Sequence, residues 1–285
     1  MESVVRAMKA VAASSIGQYE AAIRSLGDYE RAVALGLSAC LREAGNVGAE
    51  ETRRADDSSV GAIVFGSDQG LVGRFNETLV DFVLQSLASL PGHKRIWVVG
   101  ERVYSHLTDA GMSIVRQFTV PSSAAAITAL VTEVQVEIEA HCAKSPYAQV
   151  YVFHNRPRSA ALYDPTGQRL MPLDAQWYAR LTSIRWPTSN LAEVLGGIQV
   201  TLRALVREHL FISLYKACAE SLASENGSRL EAMQRAQKNI ETLSAHLQQS
   251  FNRQRQSSID EELFDVIAGF NALSVTIPSP KHGLP

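Results

Sequence analysis

Met233-Gln234-Arg235-Ala236-Gln237-Lys238-Asn239-Ile240-Glu241-Thr242-Leu243-Ser244-Ala245-His246-Leu247-Gln248-Gln249-Ser250-Phe251 lies inside a run that carries no proline from Pro187 to Pro278. Met233, Ile240 and Leu247 stand seven apart, and Leu230, Leu243 and Phe251 fill positions three or four residues away, a heptad-like seam with imperfections. A proline inside a helix removes a hydrogen bond and clashes with the preceding turn, so this run predicts one very long helix, from near Asn190 to near Leu273. Such a helix measures on the order of 120 Å. Globular packing cannot cover a rod of that length, and it must be sheathed by another helix, by partner subunits, or by both. Gly196-Gly197 and Asn226-Gly227 are its weak points, each glycine costing roughly 1 kcal/mol against alanine. The start of the helix, or a bend, is expected near one of them.

Outward from this run, the first 43 residues repeat an apolar pattern every three or four positions: Val4, Met8, Val11, Ala12, Ile16, Tyr19, Ala22, Ile23, Leu26, Tyr29, Val33, Leu37 and Leu41. That is one face of a second long helix, about 65 Å if straight. Residues 38–59 then turn polar, with Gly45-Asn46-Val47-Gly48 as a helix end. Next come Ala62-Ile63-Val64-Phe65, Ile96-Trp97-Val98-Val99 and Val150-Tyr151-Val152-Phe153, short β-branched or aromatic runs that read as buried strands. Amphipathic stretches separate them at Asn76–Leu90, Arg102–Ala110 and Ala124–Ala140. This alternation predicts an α/β class with a largely parallel sheet. Residues 158–173, broken by Asp164-Pro165-Thr166-Gly167, read as an added hairpin.

The expected organisation is therefore a coiled-coil helix and connection over 1–57, an inserted Rossmann-like α/β domain over 58–187, a coiled-coil helix over 188–273 and a tail over 274–285. The two long helices are expected to pair as an antiparallel coiled coil.

The chain has 285 residues, 46% of them apolar, and 27 basic against 29 acidic side chains give a net charge of -2. The whole-chain field therefore offers no case for nucleic acid or an anionic membrane. Cys40, Cys142 and Cys218 are odd in number and far apart, which fits neither a disulfide framework nor a zinc site. The longest apolar runs are far too short to span a bilayer, so membrane association is expected only through partners.

Gly66-Ser67-Asp68-Gln69-Gly70-Leu71-Val72-Gly73 follows a predicted strand and precedes a predicted helix, where phosphate-cradling loops often sit. It lacks the Gly-Lys-Ser/Thr ending of a P-loop and the dinucleotide glycine spacing, which favours a tight strand-to-helix turn. The seven histidines are dispersed, and none stands near Ser67 and Asp68 in sequence to complete a triad. No catalytic residue, cofactor or metal is expected. Two other readings stay open on residues alone: a nucleotide-binding α/β enzyme using the Ser67–Gly73 loop, and a coiled-coil adaptor.

Near the C-terminus Arg253, Arg255 and Gln256 precede Asp260, Glu261, Glu262 and Asp265, followed by Val266, Ile267, Phe270 and Leu273. Salt pairs along a solvated face would explain the charges. The apolar residues beyond them are too many for an exposed helix end and call for a surrounding apolar sleeve.

Arg253-Gln254-Arg255-Gln256-Ser257-Ser258-Ile259-Asp260-Glu261-Glu262-Leu263 with Val266-Ile267-Ala268-Gly269 resembles the C-terminal signature "ARQASITxEL…EIVxGA" of the F-type ATP synthase gamma subunit. Arg6 to Ala13 resembles the family's "KAMKMVAA", Ser67 to Asn76 its "SDRGLCGGFN", and Ala219 to Met233 its "LASExxARMxAM". The blocks occur in family order across nearly the whole chain. The resemblance implies the central shaft of a rotary motor, without catalytic residues of its own. Partners would be three alpha and three beta subunits, an epsilon subunit and a membrane ring, at the cytoplasmic face of the bacterial plasma membrane.

By position in those motifs, Arg255, Gln256 and Asp260 would touch the beta subunits, Arg229 would match a motif arginine lower on the shaft, and Ile267, Phe270 and Leu273 would form its apolar tip. Met8 and Lys9 would face an acidic beta-subunit loop, an exposed charge contact worth only about 0–1 kcal/mol.

The chain departs from the family pattern in three places. It starts almost at the "KAM" block, which implies a misassigned start or a short first helix. Gln69, Val72 and Arg74 replace the usual residues of "SDRGLCGG", and Thr276 to Pro285 extends past the customary end. These departures suit a divergent bacterial type, with an alternative sodium-translocating F-type ATPase as the second choice. The coupling ion is set by other subunits.

Overall fold

A computed structural model describes residues 2–44, 59–144, 149–159, 162–173, 175–190 and 192–274. The expected glycine-rich helix end at 45–48 and the tail beyond Ser274 lie outside the described residues. Among these residues the order is α1 (Glu2–Ser25), α2 (Gly27–Ala44), β1 (Val60–Phe65), α3 (Phe75–Ala88), β2 (Lys94–Val99), α4 (Glu101–Asp109), β3 (Ile114–Phe118), α5 (Ala124–Lys144), β4 (Gln149–Ser159), β5 (Leu162–Met171), α6 (Ala175–Thr182) and α7 (Ile198–Ser274). The chain divides into two compact units, residues 3–234 and a second that holds α7 from Arg235 onward.

Within residues 3–234 the sheet runs β3-β2-β1-β4-β5. β1 pairs in parallel with β2 and β4, β2 pairs in parallel with β3, and β5 closes the edge antiparallel to β4. The all-buried pattern of β1 explains its continuous apolar sequence, because both of its faces are covered. One face carries α3 and α4, through Leu79, Val83, Val103 and Leu107. The other carries α5 and the first half of α7, through Ile127, Val131, Leu214 and Leu222, with Tyr19 of α1 in the same cluster.

α2 lies antiparallel to the start of α7. Lys216 Nζ meets Glu30 at 3.4 Å, whereas Gly36, further along α2, lies against Leu205, earlier on α7. Val33, Leu37 and Leu41 complete this contact with Ile212 and with Leu181 of α6.

Three differences from the sequence expectations have local causes. The first long helix is interrupted at Leu26: Ser25 Oγ donates to Ala22 O at 2.8 Å, and Leu26 N reaches only three residues back, to Ile23 O. Gly27 then opens α2. The last helix begins at Ile198 rather than near Asn190, beside Gly196-Gly197 as one of its two expected weak points, because these glycines adopt φ values of +86° and +97° that a helix cannot contain. The Asn226-Gly227 pair, by contrast, is buried within an unbroken helix, where Asn226 Nδ2 donates to Leu222 O. Finally, Asp164 to Gly167 is not a turn, since these residues pair with Arg156, Asn155, His154 and Phe153 inside the hairpin. β3 and α6 have no counterpart in the sequence reading.

In the second unit, α7 from Arg235 onward exposes large apolar side chains along its whole length. Leu243, Leu247, Phe251, Ile259, Leu263, Phe264, Val266, Ile267 and Phe270 are each at least 46% exposed. Nine exposed large apolar side chains on one helical segment are many for a soluble monomer.

Candidate functional site

A strand order of 3-2-1-4-5 places a crevice beyond the carboxyl ends of β1 and β4, where the order reverses and where open α/β sheets hold ligands. In this chain α7 occupies it. Ser221 Oγ donates to Phe65 O at 2.9 Å, Ser224 Oγ to Asn155 O at 2.9 Å and Ser228 Oγ to Val72 O at 2.6 Å. The spacings i, i+3 and i+7 align the three hydroxyls on one helix face. Each satisfies a carbonyl on a different segment: the end of β1, the middle of β4, and the loop after β1.

The Ser67–Gly73 loop is tied to its own surroundings. Asn76 holds Ser67 from both sides, accepting from Ser67 N at 3.1 Å and donating to Ser67 Oγ at 2.8 Å. The Ser67 hydroxyl donates to Gln69 O at 3.0 Å. Asp68 accepts from Glu101 N, at the start of α4, and from Val120 N, both at 3.0 Å. Ser67 therefore has no base among these partners, and Asp68 serves as a remote helix cap and a loop staple. The nucleotide-loop reading loses its loop to structural bonds and its crevice to α7.

Two ion pairs flank the serines. Glu220 Oε2 accepts from His154 Nε2 at 2.7 Å and from Arg156 Nε at 3.1 Å. Burial pushes the Glu220 carboxyl up, but His154 and Arg156 more than offset this and hold it below the ordinary carboxylate value. Glu225 and Arg229 meet at 2.6 Å with side chains only 7% and 12% exposed. There burial wins: the Glu225 carboxyl is raised, the Arg229 charge offsetting only part of it. Tyr19 of α1 lies near this pair, its hydroxyl pushed up by burial and then by Glu225.

Of the residues singled out from sequence, Arg229 is thus turned onto Glu225, with a further contact to Asn226 Oδ1 at 3.3 Å. Met8 and Lys9 are half-buried on α1. Arg255, Gln256 and Asp260 are exposed on α7, where Gln256 and Asp260 are one turn apart. Ile267 and Phe270 are exposed near the helix end, and Leu273 lies in its last turn.

A protein-family model described as ATP synthase matches residues 1–273. The chain belongs to the ATP synthase gamma family. Gamma chains of Glaesserella parasuis and Magnetococcus marinus are 27% and 26% identical to it, covering 95% of this chain in both cases and 94% and 93% of their own. The rotor of the Euglena gracilis mitochondrial ATP synthase shares the fold at a TM-score of 0.61 and 15% identity, over 90% of this chain and 93% of its own.

Within this gamma chain, the "LASE"-like block Leu222-Ala223-Ser224-Glu225 supplies Ser224, the central one of the three hydroxyls that seat α7 on the sheet. The sequence marked that block as a motif but not as a seat. The signal lay in Ser221, Ser224 and Ser228, small polar residues on one helix face at a spacing normally read as apolar core.

Proposed function

We propose that this gamma subunit is the central-stalk shaft of an F-type ATP synthase, a non-catalytic rotor. It couples ion flow through a membrane ring to ATP synthesis or hydrolysis on the beta subunits. The observation that carries this reading is α7 from Arg235 onward: a helix exposing nine large apolar side chains to solvent needs a sleeve, and a ring of alternating alpha and beta subunits supplies one. The chain works at the cytoplasmic face of a bacterial plasma membrane as a peripheral component. Among the described residues no helix is long and apolar enough to cross a membrane.

In this reading Ile267, Phe270 and Leu273 turn inside the sleeve as the apolar tip, while Arg255, Gln256 and Asp260 engage beta-subunit loops. Met8 and Lys9 meet an acidic loop lower down. Arg229 serves the contact indirectly, through its pair with Glu225. An epsilon subunit and the ring bind the end nearest the α/β body.

Mixing the purified chain with cognate alpha and beta subunits tests this directly. A stable complex is expected whose ATP hydrolysis exceeds that of alpha and beta alone; no complex, or equal hydrolysis without the chain, removes the reading.

The polar contacts carry a separate expectation. Arg255→Ala with Gln256→Ala should reduce coupled ATP synthesis about tenfold, the usual size for losing a desolvated arginine anchor. Circular dichroism of the variant should match the parent, because both side chains are exposed on α7. Unchanged synthesis would assign them to a solvated face.

A further inference from the structure

The face of α7 that meets the carboxyl ends of the strands is polar for two and a half turns. Glu220, Ser221, Ser224, Glu225 and Ser228 are all buried, each at 8% exposure or less. Well-packed apolar residues in such a place often hold as strongly or more strongly, so this arrangement is poorly explained by stability alone. What hydrogen bonds add is direction. The hydroxyls of Ser221, Ser224 and Ser228 each have one carbonyl to reach, and Glu220 has His154 and Arg156.

A one-residue slip of α7 rotates its faces by about 100°. All of these bonds would be lost together, whereas the alanines and leucines beside them, Ala217, Ala219, Leu222 and Ala223, could find other apolar neighbours. α7 is also the element that runs from residues 3–234 into the unit beginning at Arg235. Torque applied to its distal half therefore reaches the α/β body through the seating of residues 210–228.

We infer that Glu220 is a positioning residue of the rotor, with His154 as its buried partner, and that with the three serines it fixes the rotational register of α7 on the sheet. This rests on the shaft reading above. The His154 ring is 2% exposed and its Nε2 engages Glu220 at 2.7 Å, which ties α7 to a buried side chain of β4.

The experiment uses the complete complex, reconstituted in vesicles, with hydrolysis and ATP-driven ion pumping measured on the same preparation. Glu220→Met with His154→Leu replaces the pair by apolar groups of similar size and leaves Arg156, half exposed, in contact with water. The isolated variant should melt no lower than the parent, and the assembled complex should hydrolyse ATP at a similar rate while pumping several-fold fewer ions per ATP. A merely structural role would lower melting temperature, hydrolysis and pumping together, and that outcome overturns the inference. So does normal pumping. Should the double variant not fold, Glu220→Gln decides in its place: a reduced pumping ratio at retained hydrolysis supports the register role, and an unchanged ratio sinks it. If the parent chain does not assemble, the shaft reading itself fails, a result distinct from an assembled variant that pumps normally.

Discussion

Gly100→Ala is expected to lower the unfolding free energy by about 2–6 kcal/mol in urea titrations of the isolated chain, combining backbone strain with overpacking. Gly100 joins β2 to α4 at a φ of +114°, which side-chain-bearing residues rarely adopt. A Cβ there would sit 2.8 Å from both the N and the O of Ser67. Those atoms are backbone, so no rotamer change relieves the overlap. The loop that would have to move is also held by Arg102 N, which donates to Ser67 O at 2.9 Å, and by Asp68 at the start of α4. Displacing it disturbs Val72 O as well, the acceptor for Ser228 of α7.

Gly17→Ala provides the opposite case. Gly17 lies within α1, and an added methyl group would meet nothing within 4 Å. The same exchange there should raise stability by about 0.5–1 kcal/mol, since glycine is the poorer helix former. A similar loss at both positions would mean that Gly100 is not held as described.

These two glycines illustrate what sequence can reveal and what it cannot. The long helices were legible because apolar spacing persists over many turns, and the strands β1, β2 and β4 because fully buried parallel strands are continuous apolar runs. β3 was not, since Ile114-Val115-Arg116-Gln117-Phe118 is an edge strand whose exposed middle admits polar side chains. Neither was the interruption at Leu26, whose apolar side chain keeps the periodicity while the backbone changes its hydrogen bonds.

The apolar residues near the end of α7 were legible from their number and placement, whereas the partner role of Arg255, Gln256 and Asp260 rests on motif order alone. The seat of α7 was not legible. A helix carrying Glu220, Ser221, Ser224, Glu225 and Ser228 reads as solvent-facing until the carbonyls opposite are known, and these come from residues 65, 72 and 155, remote in sequence. Likewise Gly66-Ser67-Asp68-Gln69-Gly70 looks like a phosphate loop locally. Only tertiary structure reveals that Asn76, the start of α4 and Val120 use its polar groups.

Arg229→Ala should cost about 3–5 kcal/mol at neutral pH, because it leaves Glu225 buried without the cation that partly compensates it. The loss should also depend on pH, in a predictable direction. Burial raises the Glu225 carboxyl, Asp68 adds to this, and Arg229 is what pulls it back, so its removal lets the carboxyl rise further. A carboxyl whose folded value lies above its unfolded one favours the folded state at low pH, and that contribution disappears as pH climbs through the folded value. The deficit of the variant against the parent should therefore be largest at neutral and alkaline pH and shrink as pH falls towards the ordinary carboxylate range. Glu220 runs the other way: held below its ordinary value, it stabilises above that value and loses this as pH falls. It is present in both proteins, so comparing them at each pH removes its effect. Replacing both members, Glu225→Met with Arg229→Met, should recover most of the loss by removing the uncompensated charge. A deficit below about 1 kcal/mol that stays flat with pH would be the size of an exposed pair. It would return Arg229 to the surface as a contact for a partner subunit.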